Sequence, residues 1–505
     1  MIPLLAYISC LLSSGCGVGY KVLVPNQVIP VTGCTTNGVN CPPTATVSVT
    51  QYGAKCDGST NDQAALQSAF SAAATGGFTL SFPTKAPCVV STASGVGGSG
   101  EAAIIIAGSG STVINVVGNG ATILDKVTPS GSYSIEVTFF TSGSFKSVTF
   151  SGLNFTSQHT NGATTFTAIG IGNGGSDSIT NVDVHGGTFT NYTQSVNVSG
   201  SLHAHIYNNI FYLANRATAT SLTNPAQTIW MGANSALTTA DTEVNSNVYN
   251  GCTANTTGIA ACGDGLVFGR SQGWNVHDNY ISNFSYEGVY LNSRGASSTY
   301  FSTKIHDNQF DNSGRLAVGQ GEGYGVRSEE NGAVISDNEF SDVITPITVD
   351  GFDISTPQQV IQPIISGNTM QMIGVVPLER PSYIEYGILV LNTVSAVIEL
   401  NNVTWANGYS NPNHPQVYGI EAVNSTSPAM NSNVVNGGAR GSSSSSLASF
   451  WIEGINGTTT FDSGNIAMNS DVGVYGANSP YPVVTIPYMQ FDNVTTETAG
   501  SGIIM

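Results

Sequence analysis

Apolar and polar residues alternate along this chain in a phrase that recurs at a nearly fixed interval. Each copy is a short β-branched segment, an asparagine and another apolar residue. The copies read VHDNYI, IHDNQF, ISDNEF, ISGNTM and IELNNV, around Asn279, Asn308, Asn338, Asn368 and Asn401. The steps between these asparagines are 29, 30, 30 and 33 residues. A repeat of this size with several short strands in each copy predicts a solenoid.

A second strand follows each phrase, and glycine usually opens it, as in EGVYLN, YGVRSE, YGILVL and YGIEAV. Strands that recur once per turn of the chain stack in parallel, so we expect an all-β, right-handed parallel β-helix. We expect the repeat asparagines to form an internal hydrogen-bonded ladder at a turn. His277 and His306 occupy equivalent positions in their copies, and we expect them to stack in a structural role.

The pattern changes at both ends of the chain. Residues 1–19 combine an apolar stretch with small residues and predict an export signal. The segment LSSGC resembles a bacterial lipoprotein processing site, in which Cys16 would carry the lipid. Residues 20–45 are predicted to be a linker, residues 46–430 the β-helix, and residues 431–505 a flexible Gly/Ser stretch, a last coil and a C-terminal cap. We therefore expect a secreted or cell-surface protein, attached to a membrane only through such a lipid.

Composition narrows the set of partners. Only 9% of the 505 residues are charged, and 31 acidic against 13 basic residues give a net charge of −18. Nucleic acid binding needs basic patches that neutralise phosphates, so it is not expected. The acidity would favour Ca²⁺ among metals, but there is no dense D-x-D-x-D loop, and no cofactor is assigned.

Six cysteines follow the export segment, and six thiols allow fifteen pairings. Local spacing favours Cys34 with Cys41 and Cys252 with Cys262, which leaves Cys56 with Cys88 across the first helix. These spacings do not resemble a zinc site.

One good helix is predicted shortly after residue 60. Thr60 or Asn61 is its expected cap, Leu66, Ala69 and Phe70 lie on its apolar side, and Gly76-Gly77 ends it. The segment VTQYGAKCDGSTNDQAALQSAFSAAATGGFTLSFP resembles the opening signature of the pectate-lyase-like superfamily. That resemblance implies a helix that closes the N-terminal end of a right-handed parallel β-helix, where unpaired strand edges would otherwise be exposed.

The resemblance is specific for fold and weak for function, because the superfamily includes hydrolases, lyases, epimerases and phage tailspikes. The Asn-Thr-Asp, Asp-Asp, His-Gly and Arg-Ile-Lys set of polygalacturonase-like hydrolases is not found. Nor is the Trp-Ile-Asp-His or Arg-x-Pro pattern of the best-known pectate lyases. No catalytic residue is therefore transferred from those families.

Charge is scarce, so its clustering between residues 264 and 353 is informative. Aligning the coils on Gly265, Gly288, Gly325, Gly387 and Gly419 predicts that Asp264 and Glu287 form a neighbouring carboxylate pair, followed by a ladder of tyrosines. Such a pair is what glycoside hydrolysis needs, since one group acts as acid and the other as base or nucleophile.

The candidate catalytic residues are Asp264, Glu287, Tyr290 and Arg327. The candidate substrate-binding residues are Arg270, Arg294, Glu322, Tyr324, Glu329, Asp350, Asp353 and Tyr386, with Trp451 as a further stacking face. Arginines would bind uronate carboxylates, and for β-elimination Tyr290, Lys304 or an arginine would serve as the base. The alternative for any one of these residues is a surface ion pair of little consequence.

The sequence thus predicts an extracellular enzyme, a lyase or glycoside hydrolase, that acts on a polysaccharide containing uronic acid. The alternatives are a non-catalytic glycan-binding or adhesive surface protein and a tailspike-like depolymerase. A monomer is expected in the first two cases and a trimer in the third.

Overall fold

A computed structural model describes most of the chain from residue 46 onward. The described ranges are 46–97, 100–127, 135–158, 165–172, 178–212, 227–232, 241–251, 265–269, 273–284, 287–291, 303–311, 323–351, 359–372, 385–405, 416–438, 446–457, 459–461, 464–477, 484–485, 489–500 and 503–504. All of them belong to one compact unit, Asn40–Met505. The predicted export segment, Cys16 and the linker lie outside the described residues.

The unit is a right-handed parallel β-helix, as the sequence predicted. Its strands form three parallel stacks, named here stack I, stack II and stack III in the order in which a coil passes through them. Stacks I and III belong to one sheet of 29 strands, joined through the long strands Gly100–Val117 and Ile135–Ser151, and stack II is a sheet of 14 strands.

Besides the two long strands, stack I contains Thr46–Ser48, Thr79–Ser81, Ile179–His185, Ser201–Tyr207, Asp241–Asn245, Trp274–His277, Lys304–His306, Val334–Ser336, Ile364–Ser366, Val397–Glu399, Ala429–Asn431, Thr460–Phe461, Val484–Thr485 and Ile503–Ile504. Stack II contains Pro87–Val90, Thr122–Asp125, Asn154–Ser157, Thr188–Thr190, Ile210–Tyr212, Val248–Asn250, Tyr280–Ser282, Gln309–Asp311, Glu339–Ser341, Thr369–Gln371, Asn402–Thr404, Val434–Asn436, Ile466–Met468 and Gln490–Asp492.

Stack III contains Thr165–Ile171, Gln194–Ser199, Gln227–Gly232, Gly265–Gly269, Glu287–Leu291, Tyr324–Ser328, Thr345–Asp350, Glu385–Leu391, Gln416–Val423, Ser446–Glu453, Val472–Ala477 and Thr496–Gly500. Two short pairs lie beside the stacks: Val360–Ile361 with Thr393–Val394 in parallel, and Gly95–Gly97 antiparallel to Gly100–Val117. The sequence placed the end of the regular coils at residue 430, whereas the parallel pairing continues to Ile503–Ile504.

The helix Gln63–Gly76 follows a short 3₁₀ turn, Val49–Tyr52, and packs against the first coils. Phe70 lies on its buried side, with its ring centroid 5.0 Å from that of Phe139. Asp62 immediately precedes the helix, and the side chain of Asn61, one of the two predicted caps, accepts a hydrogen bond from the N–H of Gln63 at 3.3 Å. The carboxylate of Asp62 accepts hydrogen bonds from the backbone N–H groups of Lys55 and Cys56 instead of capping the helix. Cys56 is disulfide-bonded to Cys88, and the other predicted pairs, Cys34–Cys41 and Cys252–Cys262, lie outside the described residues.

The described residues include no helix with both the length and the apolar character needed to cross a membrane.

A ladder of asparagines forms the corner between stack I and stack II. Each side-chain amide donates to the Oδ1 of the next asparagine, and so does each backbone N–H, at N···O distances of 2.9 to 3.1 Å. The predicted members are all present, and the ladder also includes Asn209, Asn247, Asn433 and Asn465. The residue before each asparagine has a positive φ, for example 54° at Asp278 and 58° at Leu400.

The core inside the coils consists of apolar side chains that stack from coil to coil. In stack II the rings of Phe155, Phe189 and Phe211 follow one another at centroid distances of 5.1 Å. The corresponding rings of Phe310 and Phe340 lie 4.7 Å apart. Because the interior is filled in this way, any function of the described coils belongs to their outer surface or their loops.

We predict that Asn338→Ala destabilises the protein by about 3 kcal/mol. The change removes the acceptor for two buried N–H groups of Asn308 and the donor for the carbonyl of Ile305, and each unsatisfied buried group costs about 1 to 3 kcal/mol. Urea denaturation followed by circular dichroism measures the loss. Asn402→Ala, at the exposed position next to the ladder residue Asn401, is the control. Equal losses of stability in both variants would contradict a special role for the ladder.

We predict that Leu400→Asn stabilises the protein by about 0.5 to 1 kcal/mol. Leu400 is 63% exposed and has a left-handed backbone, which leucine tolerates less well than asparagine. Thermal denaturation measures the gain. Leu202→Asn, at an exposed position in a regular strand, should bring no gain, and a lower melting temperature for the Leu400 variant would refute the prediction.

Candidate functional site

The outer face of stack III carries the predicted site residues. Val289, Val326, Ile347, Ile388 and Ile420 point into the coils and are fully buried. The side chains next to them along each strand point outward, because successive residues of a strand alternate between faces. In register from coil to coil, this outer column reads Tyr290, Arg327, Thr348, Leu389, Glu421, Trp451 and Tyr475. Neighbouring positions lie about 4.8 Å apart.

Arg327 is the centre of the first group of polar side chains on this face. One of its terminal nitrogens lies 3.3 Å from Glu287 Oε1, and the other lies 3.2 Å from Asp350 Oδ2 and 3.5 Å from Glu329 Oε1. The Tyr290 hydroxyl donates to Glu329 Oε1 at 2.7 Å. These five residues are called the charged cluster below.

The charged cluster is almost excluded from water. Glu287 is 1% exposed, and the side chain of Arg327 is 17% exposed. Burial by itself would lower the pKa of Arg327, but Tyr290, Glu287, Glu329 and Asp350 together raise it, so the guanidinium stays charged. Its carbon lies 5.0 Å from the ring centroid of Tyr290, a cation–π contact that adds to the ion pairs.

The structure therefore brings together six of the residues that the sequence singled out: Glu287, Tyr290, Tyr324, Arg327, Glu329 and Asp350. Tyr324 joins through its ring, whose centroid lies 5.7 Å from the Arg327 guanidinium. Lys304 is exposed and belongs to stack I, on a different face. The remaining candidates Asp264, Arg270, Arg294, Glu322 and Asp353 lie outside the described residues.

The predicted alignment of the coils was wrong by one residue at its first step. Val267 pairs with Val289, so Gly265 lies opposite Glu287 and not opposite Gly288. Asp264 itself lies outside the described residues, so its pairing with Glu287 stays a prediction. The alignment also omitted one coil, because Tyr324 pairs with Thr345, which separates it from Tyr386.

A second group of side chains continues the same face toward the C-terminus. Its rings stack from coil to coil: Tyr386 and Tyr418 at 5.5 Å, Tyr418 and Trp451 at 4.7 Å, and Trp451 and Tyr475 at 4.0 Å between centroids. Two carboxyl groups lie among these rings, those of Glu421 and Glu453, and the indole N–H of Trp451 donates to Glu453 Oε2 at 3.2 Å. These six residues are called the aromatic–carboxyl cluster below.

Glu421 is the unusual member of the aromatic–carboxyl cluster. It is 5% exposed, and its Oε2 has no hydrogen-bond partner among the described residues. Burial, reinforced by the nearby charge of Glu453, raises the pKa of Glu421 to about 8. Burial and the same two carboxylates also raise the pKa values of Tyr386 and Tyr418. At neutral pH this carboxyl group is therefore mainly protonated and can donate a hydrogen bond.

Tyr386 and Trp451 were predicted as stacking faces, whereas Glu421 and Glu453 were not. A signal was present, since YGIEAV and FWIEGI each carry a glutamate on an aromatic strand. These two glutamates have no charged neighbours in sequence, so local density of charge does not reveal them.

Histidines line the outer face of stack I. His277 and His306 stack at 5.0 Å between ring centroids, which confirms the predicted stacking. Each also contacts the aspartate that follows it, at 2.9 Å for Asp278 and 2.8 Å for Asp307.

Within the described residues, one group of potential ligands lies close enough together to bind a single metal ion, namely Cys56, Asp62 and Cys88. The two cysteines form a disulfide, and Asp62 binds backbone N–H groups. This group therefore supports no metal site.

No protein-family model matches the chain, and no curated protein matches it. Solved structures do match. PfbA, a surface adhesin of Streptococcus pneumoniae, is 16% identical over 87% of this chain and 91% of its own, with a TM-score of 0.52. The tailspike protein of E. coli bacteriophage HK620, as a double mutant, is 16% identical over 90% and 80%, at 0.44. The mannuronan C-5 epimerase AlgE4 A-module of Azotobacter vinelandii is 13% identical over 91% and 100%, at 0.37. The similarity to PfbA shows a shared fold and no more.

We predict that Glu421 makes the protein less stable as the pH rises from about 4.5 to about 8. Its pKa is higher in the folded than in the unfolded chain, so the folded state binds the proton more tightly in this window and loses stability as the proton leaves. Each unit of pKa difference corresponds to about 1.4 kcal/mol. Glu421→Gln should remove this part of the pH dependence, as measured by urea denaturation at several pH values.

Glu339→Gln, which changes an exposed carboxylate, is the matched control and should follow the wild-type pH dependence. If Glu421→Gln and wild type lose stability in parallel from pH 4.5 to 8, the carboxyl group of Glu421 titrates normally and the prediction fails.

Proposed function

We propose that this protein is an extracellular enzyme that cleaves a polysaccharide, and that the charged cluster is its reacting site. The observation that carries the proposal is one buried guanidinium group bound by three carboxylates on the outer face of stack III. Removing so many charges from water is expensive, and such groups are concentrated at functional sites.

Glycoside hydrolysis uses two carboxyl groups placed on either side of the bond that is cleaved. Glu287 and Asp350 bind opposite ends of the Arg327 guanidinium. Their oxygens therefore lie within the separation of up to about 9.5 Å that carboxyl pairs of glycosidases show. We assign these two residues as the acid and base pair, and Tyr290 with Glu329 as the groups that orient the substrate. Asp264, Arg270, Arg294, Glu322 and Asp353 remain proposed members of the same site.

Hydrolysis fits the cluster better than β-elimination does. An eliminating enzyme must neutralise a uronate carboxylate with an arginine or a metal. Here Arg327 is bound by three carboxylates, and the cluster has a formal charge of −2. A uronate at this point would be repelled, so we narrow the sequence-based hypothesis to a hydrolase that cleaves next to an uncharged sugar.

A second candidate function is a non-catalytic adhesin. It is favoured by the similarity to PfbA, a protein described as a surface adhesin, and by the row of aromatic rings on the same face. Saturable glycan binding without any product would support this candidate. A tailspike-like assembly would sediment as a trimer, whereas both of the other candidates should sediment as a monomer.

We also propose that the protein is exported and carries a lipid on Cys16, and that it belongs to the pectate-lyase-like superfamily. The parallel β-helix and its N-terminal helix support the last point. Mass spectrometry of the N-terminal peptide after expression in a bacterium tests the lipid.

We predict that a panel of neutral and acidic polysaccharides, incubated with the protein with and without Ca²⁺, will yield new reducing ends without absorbance of unsaturated uronates. Glu287→Gln and Asp350→Asn should lower the rate at least 100-fold, because each removes one of the two carboxylates. Tyr290→Phe, which deletes a single hydroxyl group, should lower it less. Circular dichroism and melting curves establish that each variant is folded.

Glu339→Gln is the matched control on a neighbouring coil and should cleave at the wild-type rate. Full activity in folded Glu287→Gln and Asp350→Asn would exclude the charged cluster as the reacting site. Unsaturated products would show a lyase, and the absence of product on every polysaccharide would favour the adhesin.

A further inference from the structure

We propose that the aromatic–carboxyl cluster is a separate binding site for an uncharged sugar, in which the carboxyl group of Glu421 donates a hydrogen bond to a sugar oxygen. The site goes beyond the proposed cleavage, since it would hold glycan whether or not the charged cluster cleaves it. Glu421 lies three coils from Arg327 in the outer column, which is about 14 Å along the coils.

The first argument is the buried acid. A polar atom without a partner in a nearly dry environment costs about 1 to 3 kcal/mol, and natural proteins keep few of them. Oε2 of Glu421 is such an atom among the described residues. Because this oxygen is itself buried, a sugar oxygen can accept its proton only if the carboxyl group turns toward the surface, and that contact would recover this free energy.

The second argument is the neighbouring acceptor. Glu453 lies on the next coil, two residues beyond the position in register with Glu421. The indole N–H of Trp451 holds one of its oxygens at 3.2 Å. A protonated carboxyl group and an oriented carboxylate together offer a donor and acceptors side by side, and adjacent sugar hydroxyls need both.

The third argument is the arrangement of the rings. Trp451 has Tyr475 stacked 4.0 Å from it with an angle of 15° between the planes, and Tyr418 lies on its other side at 4.7 Å. The faces of Trp451 are therefore occupied. Tyr475 is half-buried and ends the row of rings, because the next residue in register is Ala499. The outer face of Tyr475 is the surface against which the apolar C–H face of a sugar ring would pack.

Charge defines the class of sugar. The described part of this cluster contains no lysine or arginine, and the chain has a net charge of −18. Among the described residues, a uronate or sulfated sugar would meet Glu453 and no cation. The ligand is therefore an uncharged hexose unit within an oligosaccharide or polysaccharide.

Isothermal titration calorimetry of the full chain with hexasaccharides of glucose, mannose and galactose, and with an oligogalacturonate, tests the proposal. We expect one neutral hexasaccharide to bind saturably at pH 6, and at least 10-fold more weakly at pH 9.5, where Glu421 has lost its proton. The titratable groups that face Glu421 are Tyr386, Tyr418, Glu453 and Tyr475. Circular dichroism at pH 9.5 establishes that the protein is still folded.

Variants separate the contribution of the Glu421 hydrogen-bond donor to sugar binding from that of the Tyr475 ring. Glu421→Gln keeps an N–H donor and should bind at both pH values, whereas Glu421→Leu and Tyr475→Ala should each weaken binding at least 10-fold. Tyr212→Ala removes an exposed aromatic ring from stack II and is the matched control that should bind like wild type. Product analysis of the same mixtures reports cleavage separately.

Binding without cleavage would contradict the proposed hydrolase activity and would still support this binding site. No saturable binding of any neutral hexasaccharide, or binding that Glu421→Leu and Tyr475→Ala both leave unchanged, would overturn the site. Tighter binding of the oligogalacturonate would overturn the assignment to uncharged sugars.

Discussion

The hydrogen bonds of the asparagine ladder fix the one corner of the coil on which the other positions depend. At each level the side-chain amide and the backbone N–H of one asparagine share the Oδ1 of the next, inside a site that water does not reach. The residue before it must adopt a left-handed backbone, which turns the chain sharply from stack I into stack II. Because the same bend recurs on every coil from Asn209 to Asn465, the strands that follow it begin at equivalent positions and stay in register from coil to coil.

This common register brings together the side chains on the outer face of stack III. Arg327 meets Glu287 and Asp350 only because three successive strands present them on one outer face, with Glu287 opposite Tyr324 and Asp350 two residues beyond the partner of Arg327. The same is true of Glu421, whose neighbours Trp451 and Tyr475 come from the two following coils. Neither cluster exists within any single strand. Both are products of register, and a slip of one residue would turn their side chains into the apolar interior.

The fold was predictable because its determining residues repeat locally. Asn279, Asn308, Asn338, Asn368 and Asn401 follow one another with similar spacing and similar flanks, so one sequence contains many copies of the same signal. Asn209 and Asn247 were missed because the step between them is 38 residues, and loops of unequal length hide the period. The role of Asp62 was not predictable, because its carboxylate binds backbone groups that are remote in sequence, including the N–H of Val89.

The candidate site was predictable only in part, for a related reason. Glu287 and Arg327 belong to a stretch in which charges are locally dense. The importance of Glu421 depends on neighbours from other coils, and three of them, Trp451, Glu453 and Tyr475, lie in the segment that was predicted to be the C-terminal end. The register between the strands that begin at Gly265 and Glu287 was also not predictable from the sequence. Alignment on glycine cannot distinguish two positions that differ by one residue.

The fixed corner has a consequence for how such a chain can change in length. The hydrogen bonds between successive asparagines have the same geometry at every level of the ladder. A complete coil, duplicated from one asparagine to the next, would therefore present matching donors and acceptors at both of its junctions. Growth by duplication of complete coils would therefore create no unfamiliar interface, while it would add another outward position to each column of stack III. The number of coils, and with it the length of the outer face of stack III, is a quantity that evolution or an engineer can adjust one turn at a time.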